Sequence, residues 1–311
     1  MKPLRKAARA GLEAGGSADP RLLIRAVRLA RSVEQGRHGT ADRGDSTEFY
    51  DHRPYEAGDP LASVDWRLFG RTDRHYVRRF RHDARLTVTL VLDASASMDF
   101  AGGGAVTKLE RGVELGAAAL ALGARQGDRV GAAVVGGERG GVRMVPAAPG
   151  RGGLVRAIAA LGVTKPGAVG ARAGADGASP GPLASGLARV LGASDAGVRR
   201  GVFVLVGDAF EPVDALGRAL AMAGSRGATV VLVRTLTPAE TPGGVASGVS
   251  YVDPETGARA RSGAFASEAL RAHDGALTRV SRRLGVRLVG AMTDADPLVA
   301  LREAFVGGGV R

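Results

Sequence analysis

The chain has 311 residues, enough for one large domain or for a domain with a smaller appendage, and its 45% hydrophobic content can fill a sizeable core. Its 43 Lys and Arg outnumber 31 Asp and Glu, giving a net charge of +12, and the absence of cysteine excludes thiolate catalysis, disulfides and Cys-ligated zinc or iron–sulfur clusters. No run reaches the roughly 20 apolar residues of a membrane span, and the basic opening Met1-Lys-Pro-Leu-Arg5 leads into no secretory-type apolar segment; the expectation is a cytoplasmic protein.

Residues 1–19 read as a flexible N-terminus. Asp19-Pro20 is a helix start, with a capping carboxylate followed by a proline tolerated in the first turn. Leu22, Leu23, Ala26, Val27, Ala30 and Val33 then recur at helical spacing until Gly36, so the pattern predicts a helix over 20–35. From Arg37 to Arg85 the pattern is irregular, with β-prone pieces such as Arg74–Phe80, and 20–85 is read as a small N-terminal subdomain. Its only tryptophan, Trp66, is expected to pack that subdomain on the remainder, while Arg53, Asp59 and Asp65 are expected to form ion pairs. Seven arginines against Asp73 and Asp83 make 67–85 a basic patch suited to nucleic acid, anionic lipid or an acidic protein surface.

After Leu86 the rhythm changes to apolar runs separated by longer amphipathic segments. Strands are predicted at Thr87–Asp93, Arg129–Val135, Val142–Val145, Val202–Val206, Thr229–Val233 and Val286–Val289. Helices are predicted at Lys108–Gln126, Leu154–Leu161, Leu183–Leu191, Val213–Ala223, Ala266–Leu284 and Pro297–Phe305. Lys165–Gly181 has almost no bulky side chain and is read as a flexible loop. Strands apolar on both faces and alternating with helices imply an α/β domain over 86–311, doubly wound around a mostly parallel sheet.

In such a sheet, ligands sit beyond the carboxyl ends of the strands, where strand order reverses. Asp93 and Asp208 each follow an apolar strand at that rim, and Ser95 and Ser97 follow Asp93 at alternate positions. One acid and two hydroxyls leaving a strand offer hard oxygen donors, which suit Mg²⁺, an ion that retains waters and needs few protein ligands. The same serines could equally cap the next helix.

The stretch Asp93-Ala-Ser-Ala-Ser97 resembles the DxSxS signature of the metal-ion-dependent adhesion site of von Willebrand factor type A domains, and Val206-Gly-Asp208 resembles that site's later aspartate. Glu48-Phe-Tyr-Asp-His-Arg-Pro-Tyr55, Gly58-Asp59, Val64-Asp-Trp66 and Tyr76-Val-Arg-Arg-Phe80 are similar to the hallmark of the domain-of-unknown-function 58 family. Pro238–Glu240, Tyr251–Gly257, Leu284–Val286 and Thr293–Pro297 look like its C-terminal half. The resemblance implies a type A domain joined to a short N-terminal region, with no established enzymatic activity and an adaptor role beside a MoxR-class AAA+ ATPase or a client. It also implies Mg²⁺ at Asp93, Ser95, Ser97 and Asp208, the serines as direct ligands and the aspartates holding coordinated waters. Type A sites usually add a threonine before a helix. Here Ser179-Pro-Gly-Pro-Leu183 puts Gly181 in its place, so weak binding is expected.

Other motifs are weaker. Gly177–Gly181 matches G-x-S-x-G, but no strand precedes it as a nucleophile elbow requires. Gly102–Lys108 lies between a strand and a helix yet lacks the G-K-[ST] ending of a phosphate loop. Asp93 has Ser95, not a second acid, two residues on, which argues against a phosphoryl-accepting aspartate. The histidines at 38, 52, 75, 82 and 273 show no zinc spacing. The reading that follows is a non-catalytic adaptor, with nucleic-acid binding through 67–85 as the alternative.

Overall fold

The computed structural model of the chain describes residues 19–35, 48–57, 59, 63–81, 86–138, 141–167, 180–193, 201–244, 250–254, 259–261 and 264–306. Two units are present: residues 1–37 group with 86–311, and 38–85 form the other. In the larger unit the elements run α1 (Pro20–Gln35), β3 (Thr87–Asp93), α3 (Lys108–Arg125), β4 (Arg129–Val135), β5 (Val142–Pro149), α4 (Gly150–Gly162) and α5 (Pro182–Ala193). They continue with β6 (Val202–Gly207), α6 (Val213–Ser225), β7 (Thr229–Leu236), a hairpin of β8 (Ser250–Val252) and β9 (Arg259–Arg261), α7 (Ala264–Arg283), β10 (Arg287–Met292) and α8 (Pro297–Phe305). The smaller unit holds β1 (Glu48–Pro54), α2 (Trp66–Thr72) and β2 (Tyr76–Arg81).

Six strands form one sheet in the order β10-β7-β6-β3-β4-β5, parallel throughout except for β5, which runs antiparallel to β4. The α/β class and the doubly wound, mostly parallel sheet expected from the sequence are therefore present. The chain leaves β3 toward β4 on one side and returns to β6 on the other, so the switch point lies between β3 and β6.

Strand side chains alternate between faces, which divides the core in two. Leu90 and Leu92 of β3, Val204 and Val206 of β6, and Val231 and Val233 of β7 pack with α1, α3, α4 and α8. Val91, Phe203, Leu205, Val230 and Leu232 pack with α5, α6 and α7. Each fully buried leucine of this kind contributes about 1.5–3 kcal/mol. Helix α3 lies close to β3 because its inner face is glycine: a methyl group on Gly116 would come within 2.6 Å of Leu90 Cδ2.

Helix α1 has the expected bounds but not the expected partner. Its inner residues Ala26, Ala30 and Val33 belong to the sheet unit's core, and Glu34 pairs with Arg125 of α3 at 2.7 Å, so the boundary of the small subdomain falls after this helix. Several ends also differ. β5 continues past Val145 to Pro149, and α4 begins at Gly150, ahead of the apolar residues that announced it.

In the smaller unit, β1 and β2 pair antiparallel from Glu48↔Arg81 to Pro54↔Tyr76, with a bulge between Phe49 and Asp51. Asp65 caps α2, accepting from the amides of Arg67 and Leu68 at 3.0 and 3.1 Å, and lies 3.0 Å from His52 Nε2. Arg53 pairs with Asp59 at 2.5 Å, a contact that raises the arginine's pKa and, together with the Glu56 amide, lowers the aspartate's. Val64 and Val77 are buried. Trp66, expected to pack the subdomain on the remainder, makes edge-on ring contacts within its own unit, with Phe69 and His75. Arg67, Arg71 and Arg74 are exposed, while the side chains of 78–81 and all of 82–85 lie outside the described residues.

Candidate metal-ion site at the sheet rim

Strand β3 delivers Asp93 at the switch point, and the chain then turns into a short 3₁₀ segment, Ala96–Asp99. The Ser95 amide donates to Asp93 Oδ1 at 2.8 Å, Ser95 Oγ lies 3.1 Å from Ser97 Oγ, and Ser97 hydrogen-bonds Asp208. The four residues expected at the site are thus joined in one hydrogen-bonded chain. Asp93, Ser95 and Asp208 are buried. The alternative of serines as helix caps is not what the rim shows, since Ser95 makes no side-chain cap to the 3₁₀ segment and α3 is capped by Thr107 with Glu110 in a reciprocal box.

The turn after β6 is shaped to aim Asp208. Ala209 has φ 54°, a conformation that a non-glycine residue adopts at a cost of roughly 1–2 kcal/mol. The turn is held by the Phe210 amide donating to Asp208 Oδ1 at 3.2 Å and by Arg234 Nε donating to the Asp208 carbonyl at 2.9 Å. His273 Nε2 lies 2.8 Å from the Ala209 carbonyl. His52, His75 and His273 thus serve hydrogen bonding or ring packing; His38 and His82 lie outside the described residues.

Three residues that the sequence reading did not assign to the site stand in it. Lys108, the first residue of α3, is 1% exposed, and its Nζ donates to Asp208 Oδ2 at 2.8 Å and to Glu240 Oε1 at 2.5 Å. Glu240 also accepts from the amide and hydroxyl of Thr237, both at 3.0 Å. Glu211, buried, accepts from the Ala184 amide in the first turn of α5 at 3.2 Å. The sequence held partial signals. Lys108 is one of only four lysines in a chain that otherwise uses arginine, and Thr237-Pro-Ala-Glu240 has the spacing of a capping box.

Electrostatics separate the two aspartates. Burial pushes Asp93 well above the usual carboxylate range, with the nearby charge of Asp208 adding to it and the Ser95 hydrogen bonds opposing it. Burial also pushes Asp208 upward, but the charge and hydrogen bond of Lys108, with the Phe210 amide and Ser97, outweigh it and hold the aspartate below its ordinary value. Lys108 is the converse: burial lowers its pKa, and Asp208 and Glu240 more than restore it. Lys108 and Asp208 therefore form an ionised buried pair. Removing one member of such a pair leaves an uncompensated charge, at a cost of about 3–5 kcal/mol.

Gly181 stands just before α5, where the threonine of a type A site would fall. A methyl group on it would lie 2.1 Å from Glu211 Oε2, so the glutamate occupies the space of a side chain at 181. Ser179 and the rest of the G-x-S-x-G motif up to residue 179 lie outside the described residues, as does 168–179 of the expected flexible loop. Among the described residues no group of three or more acidic or histidine side chains could hold an ion alone. The hard-oxygen set of two hydroxyls backed by two carboxylates nonetheless suits Mg²⁺.

A doubly wound sheet with oxygen donors gathered at its switch point defines an α/β protein with a candidate site at its rim. The chain belongs to the family described as a protein of unknown function, DUF58, which matches residues 51–283. Uncharacterized proteins of Mycobacterium bovis and Mycobacterium tuberculosis are 33% identical over 140 residues, a match that spans 43% of this chain and 43% of theirs. Among solved structures it is similar to the conserved hypothetical protein BatB from Bacteroides thetaiotaomicron, with 15% identity over 71% of this chain and 98% of that one and a TM-score of 0.44. An aerotolerance-related membrane protein from Bacteroides fragilis shows 14% identity over 70% and 96%, TM-score 0.44. A von Willebrand factor type A protein from Catenulispora acidiphila shows 14% over 73% and 43%, TM-score 0.39. Among the described residues no helix is long and apolar enough to cross a membrane.

Proposed function

We propose that the chain is a non-catalytic, cytoplasmic adaptor that engages a MoxR-class AAA+ ATPase, or a client of one, through a metal-ion-dependent contact at the sheet rim. The observation that carries this reading is the hydrogen-bonded chain Asp93–Ser95–Ser97–Asp208 at the switch point. Ser95 and Ser97 would hold Mg²⁺ directly, with Asp93 and Asp208 behind them. When bound, the ion supplies a positive centre with an exchangeable position for a partner carboxylate. Phe100 and Phe210, 39% and 38% exposed beside the site, give that partner an apolar margin to bury.

The test is co-elution of the purified protein with a MoxR-class ATPase from the same genome, in Mg²⁺ and in EDTA, with wild type and Asp93→Asn. The asparagine keeps an acceptor for the Ser95 amide and removes the charge. Association in Mg²⁺ that is lost in EDTA and in D93N is expected; association indifferent to both, or none in any nucleotide state, removes the reading. Duplex binding through the exposed Arg67, Arg71 and Arg74 is the second reading, and it requires an affinity that falls steeply with salt.

A further inference from the structure

Lysine is a poor choice for the first turn of a helix, because the amide ends there already carry partial positive charge. Lys108 occupies that place in α3, fixed by the Thr107–Glu110 capping box, and among the described residues it is one of the largest fully buried side chains. Its ammonium reaches two carboxylates brought from far along the chain, Asp208 after β6 and Glu240 after β7. The Phe210 and Phe100 rings flank it, with centroids 5.6 and 5.9 Å from Nζ. One of those carboxylates is the aspartate that also hydrogen-bonds Ser97. A cation is therefore already tied to one of the four residues of the rim site.

We propose that Lys108 is a tethered cation that competes with a divalent ion for Asp208, so that the affinity of the rim for Mg²⁺ is set by exchange of the Lys108 contact. Two positive centres sharing Asp208 repel each other where solvent screening is weak. An incoming ion has to draw Asp208 away from the ammonium, which falls back on Glu240. Glu240 is suited to this second role, since its other oxygen is anchored by the Thr237 amide and hydroxyl and Oε1 is given to the lysine. The site would then take metal weakly by itself and more tightly when a partner's carboxylate adds to the negative charge around the ion, which makes metal and partner binding mutually reinforcing.

That the rim takes a divalent ion at all rests on the reading above, and the experiment separates the two. Mg²⁺ and Mn²⁺ are titrated calorimetrically into wild type, Lys108→Met, Lys108→Arg, Asp93→Asn and the charge-balanced Lys108→Met/Glu240→Gln, with folding checked by thermal melts in EDTA. Lys108→Met and the double variant are expected to bind about tenfold to a hundredfold tighter than wild type, and Lys108→Arg as weakly as wild type. A merely structural lysine would give unchanged or weaker binding in the variants that stay folded. That result overturns the proposal while leaving the metal reading intact, provided that D93N abolishes the wild-type signal. No binding by any protein removes both.

A measurement on unaltered protein covers the case in which the variants fail to fold. With acetic anhydride in EDTA, Lys108 should be acetylated far more slowly than the exposed Lys165, and Mg²⁺ should speed its modification by freeing it from Asp208. A rate at Lys108 unaffected by saturating Mg²⁺ overturns the proposal.

Discussion

Glu211 stands where a side chain on residue 181 would have to go: its Oε2 would lie 2.1 Å, and its Cβ 2.2 Å, from a methyl group on Gly181. Gly181→Ala should therefore destabilise the protein by about 1–3 kcal/mol, the usual cost of overpacking. Alanine at 211 would keep the offending Cβ, so the informative partner is Glu211→Gly. In urea denaturation the double variant should cost less than the two single changes added, by about 1 kcal/mol, since both act on the same space. Additive losses would show that Gly181 is needed for another reason.

The elements that position the rim were legible because their signals are local. Thr87–Asp93 is an apolar run interrupted inside only by Thr89, Arg129–Val135 is apolar after its first residue, and both have the expected ends. The apolar run of β5 stops at Pro146, which removes a ladder donor; a central strand does not tolerate this but an edge strand does, and β5 is the antiparallel edge. The partner of α1 was not legible at all, since periodicity reveals an apolar face and not what covers it. The site divided in the same way. Asp93, Ser95 and Ser97 could be read from one turn, whereas Lys108 meets Asp208 across 100 residues and Glu240 across 132.

Helix α1 can be tested as a member of the sheet unit. Ala30 is 1% exposed in its core, so Ala30→Leu should lose about 1–3 kcal/mol. Ala30→Asp, which would bury an unpaired charge, should lose more. Both losses should appear in the main cooperative unfolding transition. A melt unchanged by either substitution would return α1 to the periphery.

Gly207 ends β6 beside Asp93. A methyl group there would sit 2.7 Å from Asp93 Cβ and 3.2 Å from Leu183 Cδ1. Gly207→Ala should cost about 1–3 kcal/mol and also displace the aspartate. Gly116→Ala is the comparison, since its close contact is with Leu90 in the core. Melts should show both variants weakened, but Mg²⁺ titration should show impaired binding only for Gly207→Ala. Equal Mg²⁺ affinities in the two variants would mean that the packing of Gly207 on Asp93 has no bearing on the site.

Asp128 gives a dependence on pH that owes nothing to metal. It follows α3, is buried, and accepts from the Leu86 amide at 2.9 Å at the entrance to β3. Burial raises its pKa, with the Leu86 hydrogen bond opposing the rise. A carboxyl whose folded pKa is raised binds more protons in the native state than in the unfolded one, so its contribution to stability falls as pH increases between the two values. The penalty for keeping it ionised is complete above the folded pKa, shrinks as pH falls through that value, and is gone below the unfolded value of about 3.9. Asparagine keeps the acceptor for Leu86 and carries no charge. Asp128→Asn should therefore be more stable than wild type near pH 7, with the advantage disappearing as pH approaches 4. Asp128→Ala, which leaves the Leu86 amide without this acceptor, should lose about 1–3 kcal/mol relative to Asp128→Asn at every pH. Urea midpoints for the three proteins across pH 4–8 check this. An Asp128→Asn advantage that grows toward low pH would reverse the sign and show that the carboxylate is stabilised, not penalised, by its place beside the Leu86 amide.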